Sequence, residues 1–261
     1  MTHRLAVFGD SHYACVKNAV DQGRVDLPAQ LDLEFWGHVG RRFRRLGFVD
    51  GAITPDDPYT AARFAKFSTR KRDKLPIGAF DTVFFMGCRI RSFPAFAKLI
   101  RGERAGACFS KALRRRLIKG SLNSDMHYKI AKAAAAVGGT RIILLPESFP
   151  TWAEDLVGDR NDRFPFADTT SAEELDMMWD IMECVMEEDG ITLIRQPSET
   201  VVEGLYTSPT FGVDGFAEKN DYAHRNATFG AIAFERVLQE LSRTEPKSNT
   251  FDRQSVATMD N

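Results

Sequence analysis

The run Leu5-Ala6-Val7-Phe8-Gly9-Asp10-Ser11-His12 constrains this chain more than any other stretch. Four apolar residues in succession are too few for a helix and predict a buried strand. Gly9 breaks the run, Asp10 and Ser11 are residue types that favour helix N-caps, and Cys15, Val16, Ala19 and Val20 follow at helical spacing. Strand, tight turn and helix in that order place Ser11 outside the carboxyl end of a parallel strand, where open α/β sheets bind ligands. The same turn lies at the positive end of a helix dipole, which favours an alkoxide or a bound oxyanion. A serine that merely caps a helix would look identical, so the motif needs partners elsewhere in the chain.

Further strands are predicted over 31–36, which alternates, and over the short apolar runs 81–87, 141–146 and 191–194. Helices are predicted to start near Pro94, to dominate 110–137 up to the stop Gly138-Gly139, and to cover 173–188 and 228–241. In the third of these, Leu175, Met178, Trp179, Met182 and Val185 recur on one face, which makes the methionines core residues rather than a cofactor box. Residues 51–76, with Pro55 and Pro58, read as a loop holding a short helix at about 61–67. Residues 152–170 keep no period and read as an irregular, lid-like insertion. Strands alternating with helices predict a five-stranded parallel sheet covered on both faces. With no dividing linker, one α/β domain is expected over 1–242, followed by a disordered polar tail over 243–261.

A formal net charge of -1 gives no reason to expect nucleic acid or an anionic membrane surface as principal partner. In that context Arg41-Arg42-Phe43-Arg44-Arg45 reads as a solvated face or a local anion contact. No apolar run is long enough to span a bilayer, and the first strand begins without a basic and apolar leader, so a cytoplasmic protein is expected. Cys15, Cys88, Cys108 and Cys184 form no C-x-x-C pair, and His3, His38 and His127 form no ligand-spaced cluster. Neither a metal nor a cofactor is expected.

In such a sheet every strand-to-helix loop opens on one edge, so Ser11, Gly40, Arg89 and Pro146-Glu147-Ser148 are predicted to share a rim. Asp221-Tyr222-Ala223-His224 follows the last strand and can close over it. An aspartate three residues before a histidine can hold one ring nitrogen, which leaves the other for a serine hydroxyl. That is the requirement of nucleophilic catalysis: a weak nucleophile, a base within reach, and a group that fixes the base.

Taken together these residues resemble the SGNH or GDSL-type hydrolases. Gly9-Asp10-Ser11 is similar to the first block of that family, with Ser11 as nucleophile. Gly40 resembles the second-block glycine whose N–H helps form the oxyanion hole, with Gly37 the weaker match, and Asp221-x-x-His224 resembles the last block. The resemblance implies a flavodoxin-like three-layer α/β/α fold and metal-free esterase, lipase or carbohydrate-deacetylase chemistry. It also departs from the family: the third block expects Gly-x-Asn-Asp, and here Gly87-Cys88-Arg89-Ile90 puts Arg89 in the asparagine's place. Arginine can donate to an oxyanion or bind an anionic substrate. Asp10 and His12, on either side of Ser11, are assigned with Gly40 and Arg89 to the oxyanion and substrate side, and Asn226 to holding the His224 loop. The implied substrate is a small-molecule or saccharide ester, including O-acyl groups of a polysaccharide precursor, with acyl transfer to a sugar hydroxyl as the nearest variant. A non-catalytic anion- or carbohydrate-binding module on the same fold is the rival from another class. Gly-x-Ser-x-Gly is absent, and a nucleotide-binding reading lacks Gly-x-Gly-x-x-Gly after the first strand.

Overall fold

The computed structural model describes residues 2–38, 40–154 and 164–244. The chain runs through β1 (His3–Gly9), α1 (Ala14–Asp21), β2 (Leu31–Gly37), β3 (Leu46–Val49), β4 (Ala52–Pro55), α2 (Pro58–Phe67) and β5 (Leu75–Pro76). It continues with β6 (Thr82–Arg91), α3 (Phe93–Arg104), α4 (Lys111–Ser124), α5 (Met126–Val137) and β7 (Arg141–Glu147). The last part holds α6 (Ala172–Glu188), β8 (Ile191–Leu193), the short pair β9 (Val201–Val202) and β10 (Tyr206–Thr207), and α7 (Ala227–Thr244).

The main sheet has five parallel strands in the order β2-β1-β6-β7-β8, the doubly wound flavodoxin-like order. Its faces follow directly from the alternation of side chains along each strand. Leu5, Val7, Phe84, Met86, Ile143 and Leu145 meet α1 and α7 on one side. Ala6, Phe8, Val83, Phe85, Ile142 and Leu144 meet α2 to α6 on the other. The molecule is thus a three-layer α/β/α sandwich. Each large apolar side chain buried in it contributes about 1.5–3 kcal/mol. Strand order reverses between β1 and β6, and the crevice beyond their carboxyl ends is where such folds place ligands.

Residues 51–76 depart from the predicted loop, and with 46–49 they build a second sheet. β3, β4 and β5 form an antiparallel sheet, joined at Val49↔Ala52 by Asp50 and Gly51 with φ of 49° and 75°. That is the left-handed Asp-Gly hairpin turn, a signal present in the sequence and overridden there by the nearby prolines. α2 starts earlier than predicted because Asp57 caps it, accepting from Thr60 N at 2.9 Å. The predicted 110–137 segment is two helices, broken at Asp125, which caps the second. Of the predicted lid-like insertion, 155–163 lie outside the described residues, as do 245–261 of the predicted tail. No helix among the described residues is long and apolar enough to cross a membrane.

Candidate functional site

The turn after β1 is shaped by Asp10 rather than Ser11. Asp10 Oδ1 accepts from the His12 backbone N at 3.2 Å and caps a single 3-10 turn, Ser11–Tyr13, that leads into α1. The serine hydroxyl is therefore not spent on capping. Gly9 is required here, since a Cβ would lie 2.5 Å from the Met86 carbonyl oxygen and 2.8 Å from Tyr13 Cβ.

The second half of the site comes from the loop before α7. Asn226 caps that helix through Thr228 N and Phe229 N, both at 3.1 Å, and its amide donates to Thr210 O at 2.8 Å. Asn226 thus holds the loop, as expected. Arg225 is buried and ties the loop to the segment after β7. It donates to Ser148 Oγ at 2.8 Å, to Tyr222 O at 3.1 Å, and to Thr151 Oγ1 and Phe149 O. No sequence signal marks Arg225, because a loop arginine ordinarily faces water.

These two segments, 213 residues apart in sequence, meet at a hydrogen bond between Ser11 Oγ and His224 Nε2 of 2.7 Å. The other ring nitrogen, Nδ1, lies 2.7 and 2.9 Å from the two oxygens of Asp221, which also accepts from His224 N at 3.2 Å. Burial works to raise the Asp221 carboxyl, but hydrogen bonds from His224 outweigh it and hold the group below the ordinary carboxylate value. An ionised carboxylate can only accept, so Nδ1 carries the ring proton and Nε2 is left to accept from the serine.

Asp10 and His12 sit differently from expectation. Both are buried, and they contact each other rather than form the open face: His12 Nδ1 donates to Asp10 Oδ1 at 2.8 Å. The His12 ring stacks on that of His224, with centroids 5.1 Å apart, and its Nε2 lies 3.5 Å from Glu147 Oε1. Glu147 in turn accepts from Arg91 Nε at 2.9 Å. Burial disfavours charge on His12, yet the hydrogen bond and charge of Asp10, with Glu147 beyond, raise it above the ordinary histidine value. Asp10 is held low in spite of its burial by the same partner, with Arg89 assisting. The side chains of Asp10, His12 and Glu147 therefore form a polar row behind the Ser11–His224 pair.

Gly40 and Arg89 come together. Arg89 Nη2 donates to Gly40 O at 2.8 Å, and its Nε lies 3.7 Å from Asp10 Oδ2. Arg89 is not past the end of its strand, as predicted, but in a bulge within β6, where pairing to β7 shifts register. Gly87, Cys88 and Arg89 have φ of 72°, 51° and 60°, three left-handed residues in succession. Two of them carry side chains, a conformation that costs on the order of 1–2 kcal/mol each. At Gly87 a Cβ would lie 2.7 Å from His12 Cβ, so the bulge packs directly on the turn that carries Ser11. Gly37, the alternative to Gly40, pairs with Gly9 across the sheet and makes room for the Tyr13 ring.

A concavity of about 980 Å³ runs along α6 and α7 and contains no residue of the Ser11–His224–Asp221 set. A smaller cleft of about 640 Å³ borders the set, with Tyr222 and Ala223 in its lining. Among the described residues no group of three or more His, Cys, Asp or Glu is placed to hold a metal ion.

No family model matches the chain, and no curated protein matches it. Among solved structures it is similar to the lipase Lip_vut3 from a goat rumen metagenome, at 12% identity and TM-score 0.40, over 91% of this chain and 97% of that one. It is similar also to a DUF4886 family protein from Bacteroides uniformis, at 11% identity and TM-score 0.44, over 95% and 88% of the two chains. A third is the periplasmic domain of the lipopolysaccharide acetyltransferase of Salmonella ser. Paratyphi A, at 13% identity and TM-score 0.39, over 93% and 84%. Likenesses this slight say nothing of chemistry, which has to be argued from the side chains.

Proposed function

We propose that this chain is a serine hydrolase of the SGNH type that cleaves a small-molecule or saccharide ester. The observation that carries the reading is the continuous chain of hydrogen bonds Ser11–His224–Asp221, at 2.7 Å on either side of the imidazole. Ser11 Oγ attacks the ester carbonyl carbon as its proton passes to His224 Nε2. The C–O bond to the alcohol then breaks, and the alcohol oxygen takes that proton as it leaves. Water attacks the acyl carbon, gives a proton to Nε2, and the bond to Oγ breaks as Oγ recovers the proton. Asp221 fixes the tautomer and stabilises the imidazolium at both stages.

The N–H groups of Ser11 and Gly40 are assigned to the developing oxyanion. Arg89, anchored to the Gly40 carbonyl, brings positive charge to the same place where the family has a neutral amide. Acyl transfer to a sugar hydroxyl uses the same steps with the acceptor in place of water.

Incubation with a fluorophosphonate probe and with p-nitrophenyl acetate tests the reading. The wild type is expected to be labelled on Ser11 and to release p-nitrophenol, and Ser11→Ala to do neither. A folded wild type that is neither labelled nor active sinks the proposal. Added glucose or cellobiose that raises p-nitrophenol release and yields acetylated sugar marks the transfer variant.

A further inference from the structure

The cleft beside the Asp221–His224 loop has a lining whose charge differs from that of the chain as a whole. Besides Tyr222 and Ala223, it is lined by Arg91 at the end of β6 and by one face of α3. Pro94, Lys98 and Arg101 lie at i, i+4 and i+7 on that helix, so both cations look the same way. Both are exposed, and neither side chain has a hydrogen bond or ion pair with any described residue. The carboxylate in this lining is Glu147, and it is already engaged by Arg91 at 2.9 Å and faced by His12 at 3.5 Å. Phe93 and Phe164, whose rings meet edge to face at 5.1 Å, are the aromatic apolar part of the lining.

An adjoining cleft of about 470 Å³ shares Arg91 and Pro94 and adds Arg44 and Arg89. Its carboxylate, Asp125, is committed to capping α5 through His127 N at 2.8 Å and Tyr128 N at 3.1 Å. Cations thus gather in two clefts, one of them lined by Tyr222 and Ala223 of the Asp221–His224 loop, in a chain whose net charge is -1. Clefts lined by one sign of charge focus the field and concentrate ligands of the other sign.

Resting on the serine-hydrolase reading, we infer that the ester substrate carries a second, non-reacting oxyanion, a carboxylate or a phosphate, which Lys98 and Arg101 bind. Helix rise puts Lys98 and Arg101 about 4.5 Å apart along the axis of α3, so a single oxyanion can reach both.

The p-nitrophenyl half-esters of succinate, glutarate and adipate, compared with p-nitrophenyl butyrate and corrected for uncatalysed release, read this out. At low salt the best half-ester is expected to exceed butyrate in kcat/KM by about 10-fold, with the ratio falling as salt screens the cations. Lys98→Gln/Arg101→Gln is expected to lower the half-ester by about 10-fold relative to butyrate. Equal wild-type rates on charged and neutral esters, or a double variant that lowers both alike, overturn the inference. Glutarate and inorganic phosphate as inhibitors of butyrate hydrolysis distinguish the two oxyanions, and inhibition by neither also overturns it.

A binding arm separates this inference from the reading beneath it. Calorimetric titration of Ser11→Ala with monomethyl and dimethyl glutarate is expected to show tighter binding of the charged ester, lost when Lys98 and Arg101 are also replaced. Such binding with a wild type that hydrolyses nothing keeps the anion site and removes the hydrolase. Turnover with no preference for charge does the reverse.

Discussion

Asp10 relieves Ser11 of capping, and in doing so takes on a buried charge that His12 must balance. His12 keeps its proton to higher pH folded than unfolded, so its contribution is complete below the ordinary value of 6.5 and fades as pH rises through the raised folded value. Asp10 sets the other edge: its contribution is present above 3.8 and is lost as pH falls through the depressed folded value. The groups facing His12 are Asp10, Glu147, the His224 ring and, at longer range, Arg225. His12→Gln is expected to destabilise by about 1–3 kcal/mol near pH 5, through the stranded Asp10 carboxylate. Urea unfolding at pH 5, 7 and 9 should show the gap to wild type shrinking as pH rises; a gap independent of pH would mean that His12 acts by shape alone. At Arg89, truncation to alanine removes both the charge and the Gly40 clamp, and is expected to lower kcat by about 10²–10³ with little change in KM. Asp221→Asn, which misdirects the imidazole, is expected to cost kcat about 10⁴. Steady-state kinetics on p-nitrophenyl acetate measures both.

At the scale of elements, the site depends on two helices that begin just after Ser11 and His224. α1 follows the Ser11 turn and α7 follows the His224 loop, and they touch where a Cβ on Gly230 would collide with the Cys15 carbonyl. Gly230→Val forces them apart. Overpacking of this kind costs about 1–3 kcal/mol, and the displaced hydroxyl is expected to lower kcat more than it raises KM. Thermal unfolding together with kinetics checks it; a variant of wild-type Tm and kcat would show that the contact is slack. The parallel strands and their helices were legible because each is an apolar run or an i, i+3, i+4 stripe bounded by glycine or a capping residue. The β3–β5 sheet was not, although Asp50-Gly51 announced its hairpin, because short strands near prolines carry little periodic signal. Ser11, Asp221 and His224 could be picked out as a set of residue types in a meaningful order. Arg225 and the left-handed bulge at Gly87–Arg89 could not, and Glu147 was placed on the rim without its contacts to His12 and Arg91, since these roles arise from contacts between segments distant in sequence.

On the scale of the whole molecule, sheet order does the assembling. The reversal between β1 and β6 opens the crevice, β7 contributes Glu147, and the loop before α7 closes over the result. No part of the set survives without the packed sheet, so hydrolysis and far-UV circular dichroism are expected to disappear at the same urea concentration. Activity lost well before the helical signal would mean that the His224 loop detaches on its own. The span of 213 residues between hydroxyl and imidazole also has a consequence for biosynthesis. A growing polypeptide carries its nucleophile through 213 further residues of translation before it receives its base. On the proposed chemistry the nascent protein is inert toward esters until the His224 loop has been made and packed.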